Sequence, residues 1–180
     1  KSKYKAAHEY VSDTAYFKCQ DVVKTLHQKQ THFDLVISAD TVVVLDNVIL
    51  EKPENAQHAK TMLKSLSNNT HSVITAVVLA MPDPKSDEEV LYHRFYETTQ
   101  VTFSEMADGV IDAYVATGTP MYVPASFNHS HYRDKAGGYG IQEVEGGSFV
   151  SSIEGCYYNV TGFPVNRFCR EMLSLFNPTL

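Results

Sequence analysis

The run Leu35-Val-Ile-Ser-Ala-Asp-Thr-Val-Val-Val-Leu45 is β-branched and almost continuously apolar, and its reading decides the fold. Such a composition suits a strand buried on both faces of a sheet. Asp40 interrupts it. Aspartate is a poor strand former and costly to bury unpaired. Either a cation compensates it, in which case the carboxylate can polarise or deprotonate water, or the strand ends at Ser38 and Asp40-Thr41 forms a turn. Downstream, Asp46-Asn47 supplies turn chemistry and Asn47-Val-Ile-Leu50 a returning hairpin arm, which places Glu51-Lys52-Pro53 beside the strand. Lysine is a compact charge able to hold a phosphate, and glutamate is a hard oxygen ligand for magnesium. A solvated surface pair is the commoner fate of Glu-Lys.

Upstream, Ser12 and Asp13 read as helix caps, followed by Ala15, Cys19, Val22, Val23 and Leu26 at helical spacing, with Lys18 on the same helix. Such a lysine ordinarily snorkels at a surface. Downstream, Ala59, Met62, Leu63 and Leu66 stripe a second helix that stops at Asn68-Asn69. Val73 to Met81 reads as a buried strand, residues 82–89 as a charged loop, and Tyr92 to Phe103 as a half-exposed strand completing a hairpin. A helix follows from Ala107 to Thr117, with Val110, Ile111, Tyr114 and Val115 on one face and Gly118 at its end. Phe149 to Ile153 and Tyr157 to Val160 read as strands around a Glu154-Gly155 turn, and Pro164 opens a last helix striped by Val165, Phe168, Cys169, Met172, Leu173 and Phe176. Helices and strands without strict βαβ alternation imply an α/β or α+β fold.

The 180 residues, 43% hydrophobic, fit one domain or two lobes sharing a core. A net charge of -6 argues against a general nucleic-acid scaffold, which needs a basic surface. Cys19, Cys156 and Cys169 lack CxxC spacing, so neither a disulfide framework nor a thiolate zinc site is indicated. A reducing, cytoplasmic setting is expected, and the three Asn-x-Ser/Thr triplets are read as coincidental in the absence of a visible signal peptide. No apolar stretch approaches the roughly 20 residues that cross a bilayer, so no membrane partner is expected.

A further candidate is Asp134-Lys-Ala-Gly-Gly-Tyr-Gly-Ile-Gln142. Its glycines allow close backbone approach to a ligand, Lys135 offers charge, and the Gln142 amide can read the edge of a base. A plain turn between elements is the competing reading. His129 and His131 have metal-like spacing but no third ligand in view, and read as solvated.

Together, Ser38-Ala-Asp-Thr41, Glu51-Lys-Pro53, Met62-Leu63 with Leu66-Ser67, Tyr114-Val115 with Gly118, Asp134 to Gln142 and Asn159-Val-Thr-Gly-Phe-Pro164 resemble the Maf family in order and spacing, over roughly Val11 to Phe176. The chain is also similar in style to the branch whose Maf-like domain is fused to an O-methyltransferase-like domain, the acetylserotonin O-methyltransferase-like type. The resemblance implies a Maf/inosine triphosphatase-like α/β fold: an elongated mixed sheet flanked by helices, with a cleft between two lobes. It implies a nucleoside triphosphate pyrophosphatase of dTTP/UTP type, yielding monophosphate and pyrophosphate. Asp40 matches the proton acceptor, Lys18, Lys52 and Lys135 match phosphate-side positions, and Thr41 and Gln142 match positions tied to substrate choice. A divalent cation, Mg²⁺ or Mn²⁺, would be held by Asp40 and Glu51. A nucleoside triphosphate is the implied partner, with a second copy of the chain as the candidate protein partner.

Residues 1–180 are expected to form one Maf-like domain that departs from the family twice. Nothing before Lys18 matches the family's first strand and Ser-x-Ser-Pro-Arg-Arg loop, so that segment is read as missing. Residues 122–133 read as an insertion. The alternatives are a catalytically impaired nucleotide-binding or interaction domain, and a structural appendage of a larger methyltransferase-like protein.

Overall fold

The computed structural model of the protein describes residues 4–86, 89–120 and 135–177. Helix α1 (Ala7–Gln28) precedes strands β1 (Val36–Leu45) and β2 (Val48–Leu50), helix α2 (Ala56–Leu66), strands β3 (Thr70–Pro82) and β4 (Val90–Phe103), and helix α3 (Asp108–Ala116). After a 3-10 turn (Ala136–Gly138) come the one-turn helix α4 (Val144–Gly147), strand β5 (Val150–Glu154), the one-turn helix α5 (Tyr157–Val160) and helix α6 (Val165–Phe176). The strands form one sheet in the order β2-β1-β3-β4-β5, each neighbouring pair antiparallel. With helices flanking it, this is the expected mixed α/β architecture.

The hairpin between β1 and β2 turns on Asp46 and Asn47, both at positive φ (49° and 64°), the conformation that matches strand twist in two-residue loops and that Asn and Asp tolerate best. Pairing with β2 covers only Val43, Val44 and Leu45. Residues 36–42 of β1 therefore have a described neighbour on one side only, β3. This overturns the expected burial of β1 on both faces. Residues 37–41 are exposed or half-exposed, with Ile37 at 44%. The central strand β3 behaves as read, buried continuously from Val73 to Ala80.

Alternation along the strands divides the core into layers. Val36 and Val42 of β1 and Ile74, Ala76, Val78 and Ala80 of β3 pack against Val11, Ala15, Cys19 and Val23, one stripe of α1. Each fully buried valine there contributes ~1.5–3 kcal/mol relative to exposure. The opposite face carries Val43, Val73, Val101 and Phe103 against α2 and α3 at one end, and Val77, Leu79 and Phe95 against Phe168, Met172 and Leu175 of α6 at the other.

Three local readings are corrected. Helix α1 begins at Ala7, so Ser12 and Asp13 lie inside it; Glu9 serves the start by accepting from the backbone N–H groups of Lys5 and Ala6, at 3.0 and 3.4 Å. Residues 157–160 form the helical turn α5 instead of a strand, because Asn159, fully buried, bonds inward to β3 and β4. On α6 the inward face is Phe168, Met172 and Leu175, while Val165, Leu173 and Phe176 point outward at 40–62% exposure. Helix α2 ends at Leu66, just before Asn68-Asn69, and Gly118 (φ +77°) follows α3, as expected; the cap of α2, which the sequence reading did not name, is Asn55, which accepts from His58 N–H at 2.8 Å. No helix among the described residues is long and apolar enough to cross a membrane.

Candidate active site

Asp40 lies in mid-strand opposite Ala76, so the turn reading is excluded and its compensation must come from elsewhere. Lys18 supplies it. The Lys18 Nζ donates to Asp40 Oδ1 at 2.5 Å, with the lysine side chain 54% exposed and the aspartate 17%. Their approach follows from the packing of α1, because Cys19 and Ala15 are buried against the sheet and Ser38 Oγ donates to the Ala15 carbonyl at 2.6 Å. Lys18, the neighbour of a buried residue, is thereby carried to the rim.

Thr41, one residue on, faces the other side of the sheet. Its Oγ lies 2.9 Å from Thr75 Oγ, which bonds the Asn159 carbonyl at 2.9 Å. The Asn159 amide donates in turn to the Val73 carbonyl and Thr99 Oγ, each at 3.0 Å. This polar belt separates the two apolar clusters on that face. Partners on both strands and on α5 thus hold Thr41 in register.

The β1–β2 hairpin delivers Glu51 and Lys52 to the same edge. Glu51 Oε1 accepts from the Tyr10 hydroxyl at 2.7 Å. That bond, with burial and the charges of Glu51 and Asp40, pushes the Tyr10 hydroxyl up to about 12, so it stays a donor at neutral pH. Tyr10, Thr14 and Lys18 are spaced four apart on α1 and line one depression together with Asp40, Glu51 and Lys52.

The glycine-rich segment closes the far wall. Gly137 takes φ +71°, and a Cβ there would fall 2.8 Å from Val43 Cγ2, so no other residue fits without displacing β1. Its N–H donates to the Glu51 carbonyl at 3.2 Å. Lys135 is almost wholly buried, its side chain 8% exposed, and is ion-paired with Glu143. Its charge is largely offset before any ligand arrives.

Lys18, Asp40, Thr41, Lys52, Lys135 and Gln142 all line one cleft of about 350 Å³, whose remaining wall includes Val43, Val73, Tyr139 and Val160. Glu51 lies outside that cleft, in the adjoining depression that shares Lys18, Asp40, Thr41 and Lys52 with it. The cleft has two characters. Three lysines and a carboxylate contribute charge, and three valines and an aromatic ring contribute apolar surface. Among the described residues no cluster of three or more His, Cys, Asp or Glu side chains forms a metal site. His129, His131, Asp134 and the stretch 122–133 lie outside the described residues.

Sequence reasoning missed the parts played by four residues. Tyr10 was findable, since it precedes Lys18 by eight on an amphipathic helix. Glu143 as the partner of Lys135, and Thr75 as a support of Thr41, carry no local signal, because each acts across the fold; Asn159 stands in the quoted Asn159–Pro164 motif, but its inward bonds are not legible from that motif.

The family model described as Maf-like protein matches residues 1–175. The chain belongs to the Maf family. Among Maf relatives, a human protein named "Probable bifunctional dTTP/UTP pyrophosphatase/methyltransferase protein" is 39% identical over 180 residues, covering 99% of this chain and 27% of that protein. A dTTP/UTP pyrophosphatase of Clostridium perfringens (strain 13 / Type A) is 40% identical over 164 residues, 91% of this chain and 74% of its own length. One from Shigella boydii serotype 4 is 42% identical over 173 residues, 96% and 75%. The chain thus spans about a quarter of the human Maf relative and about three quarters of these bacterial ones.

Proposed function

We propose that this Maf chain hydrolyses dTTP- or UTP-type nucleoside triphosphates to the monophosphate and pyrophosphate. The observation that carries the reading is one cleft lined by Asp40, Lys18, Lys52 and Lys135 together with Thr41, Gln142 and Tyr139. The names of the relatives at about 40% identity supply the substrate class and products. The lysines suit a triphosphate, because ammonium groups neutralise phosphate oxygens and become more effective as charge develops on them. The rest of the lining suits a pyrimidine, with apolar surface for the ring and an amide and a hydroxyl for its polar edge.

Lys18 engages Asp40 Oδ1, which leaves Oδ2 as the oxygen able to take a proton from water. The hydroxyl so formed attacks the α-phosphorus, the bond from phosphorus to the α,β-bridging oxygen breaks, and pyrophosphate departs on that oxygen. Lys52 and Lys18 hold the departing phosphates. Tyr10 fixes the Glu51 carboxylate beside them.

The donor set fits a divalent cation of the magnesium type, which typically takes one or two carboxylates and completes its shell with substrate phosphates and water. Asp40 and Glu51 line one depression and would hold it there. When bound it would neutralise charge on the triphosphate and polarise the attacked phosphorus.

The test is pyrophosphate release from dTTP and UTP with Mg²⁺ or Mn²⁺, with and without EDTA. Release that chelation abolishes and added metal restores is expected; no release from any triphosphate overturns the reading. A catalytically impaired nucleotide-binding domain is the second reading, favoured by the Lys135–Glu143 ion pair, which lowers the positive charge facing the phosphates. Binding of dTTP by calorimetry without turnover would select it. The protein is proposed to act in the cytoplasm, alone or as a homodimer, which light scattering resolves.

A further inference from the structure

The segment bearing Lys135 and Gln142 rests on a buried strut that the proposed chemistry does not use. His71 of β3 is 1% exposed and Tyr139 is 5% exposed, and the imidazole Nε2 lies 2.8 Å from the phenol oxygen. Phe103 stands edge-on to both rings, with centroids at 4.9 and 4.7 Å. Burial lowers His71 to about 4 and raises Tyr139 above its ordinary value, so the pair is neutral near pH 7. His71 Nδ1 is buried without a partner, a cost that an apolar pair filling the same space would avoid. A polar pair kept at that cost calls for an explanation.

The explanation lies above the strut. The Tyr139 ring lines the nucleotide cleft beside Gly140 and Gln142. A second hydroxyl, that of Tyr114, accepts from the Gly140 N–H at 3.4 Å. The segment is closely packed within itself: a Cβ on Gly140 would meet Lys135 Nζ at 2.5 Å, and one on Gly146 would meet the Gly140 carbonyl at 2.3 Å. The hydroxyl-to-imidazole bond ties Tyr139, which lines the cleft with Gln142, to the central strand β3.

We propose that His71 and Tyr139 are positioning residues that set the width of the base-binding side of the cleft and thereby favour a one-ring over a two-ring base. The inference rests on the nucleotide pyrophosphatase reading above. Removing the hydroxyl lets the segment ride outward, which loosens the pyrimidine and admits a purine while leaving Asp40 and Lys18, on the opposite face of the sheet, untouched.

The experiment measures pyrophosphate release from dTTP and dATP by the chain and its Tyr139→Phe variant. The expected result is a KM for dTTP raised about fivefold, the ~1 kcal/mol of one neutral buried hydrogen bond, with the dTTP:dATP ratio of kcat/KM falling by a similar factor. The kcat for dTTP should stay within about twofold, since the interaction lost belongs to binding. His71→Gln, whose amide can reach the same hydroxyl, should retain the wild-type ratio, and His71→Leu should reproduce Tyr139→Phe. A purely structural pair would lower Tm in Tyr139→Phe with KM and the ratio unchanged, and that result overturns the proposal. If the unaltered chain releases no pyrophosphate from any triphosphate, the functional reading itself falls, and this inference with it.

Discussion

Replacing Asp40 with asparagine separates chemistry from folding more cleanly than any other single change. The substitution keeps the shape of the side chain and removes its charge and its capacity to accept a proton. If Asp40 activates water, the loss is that of a general base, typically 10²–10⁴-fold in kcat, or about 3–5 kcal/mol of barrier. The stability cost works out much smaller. The only ion pair described for Asp40 is with Lys18, whose side chain is 54% exposed, and ion pairs with a solvated partner contribute ~0–1 kcal/mol. The lysine left behind can turn to water, so no buried charge is stranded. For a domain of this size that corresponds to a fall in Tm of at most about 4 °C. The assay is coupled detection of pyrophosphate from saturating dTTP, with thermal unfolding of the same preparation. A variant keeping more than about a tenth of wild-type kcat would refute the assignment of Asp40 as the base. A loss of activity accompanied by collapse of Tm would show that the ion pair holds the fold, contrary to the exposure of Lys18.

Gly137→Ala combines a Cβ 2.8 Å from Val43 Cγ2 with φ +71°, and should cost about 2–4 kcal/mol, read as a lower urea midpoint. Asn159→Ala strips the bonds to Val73 and Thr99 from a fully buried site, and an expected loss of ~2–4 kcal/mol is checked by the same unfolding curve. His71 predicts a pH dependence of stability. Its folded value of about 4 lies below the ordinary 6.5, so between these the unfolded chain binds more protons. Its contribution is therefore complete above pH 6.5 and is lost as pH falls through 4, on the order of 3 kcal/mol in all. Urea midpoints measured from pH 7 to pH 4 should fall accordingly, and the slope should flatten in His71→Gln.

Much of this was legible because it is local. Asp46-Asn47 between apolar runs specifies a two-residue hairpin by backbone conformation alone, and the apolar run of β3 demands a central position. Asp40 was legible for the opposite reason, as a charge where none is cheap. What escaped depends on contacts between distant segments. The Tyr157 to Val160 stretch has strand-like composition, yet the inward bonds of one asparagine wind it into a turn of helix. The α6 stripe was displaced because Phe163 and Leu175 extend the apolar surface beyond the residues first counted, so the face that meets Val77 and Leu79 is rotated. The even burial expected of β1 failed because β2 is too short to cover it. Glu143 is invisible as a partner of Lys135 in one dimension, since an eight-residue spacing in an irregular segment fixes no direction.

The placement of Asp40 and Thr41 on opposite faces of one strand has a consequence for how such a site can be altered. The Thr41 hydroxyl bonds Thr75 of β3 and the Asp40 carboxylate bonds Lys18 of α1, so the two are held by different elements. Saturation libraries at Thr41 and Gln142 should therefore explore new substrates while the hydrolytic machinery stays intact, and most members should remain measurable enzymes. An insertion or deletion of one residue in β1 would do the reverse, exchanging the faces and losing both properties together.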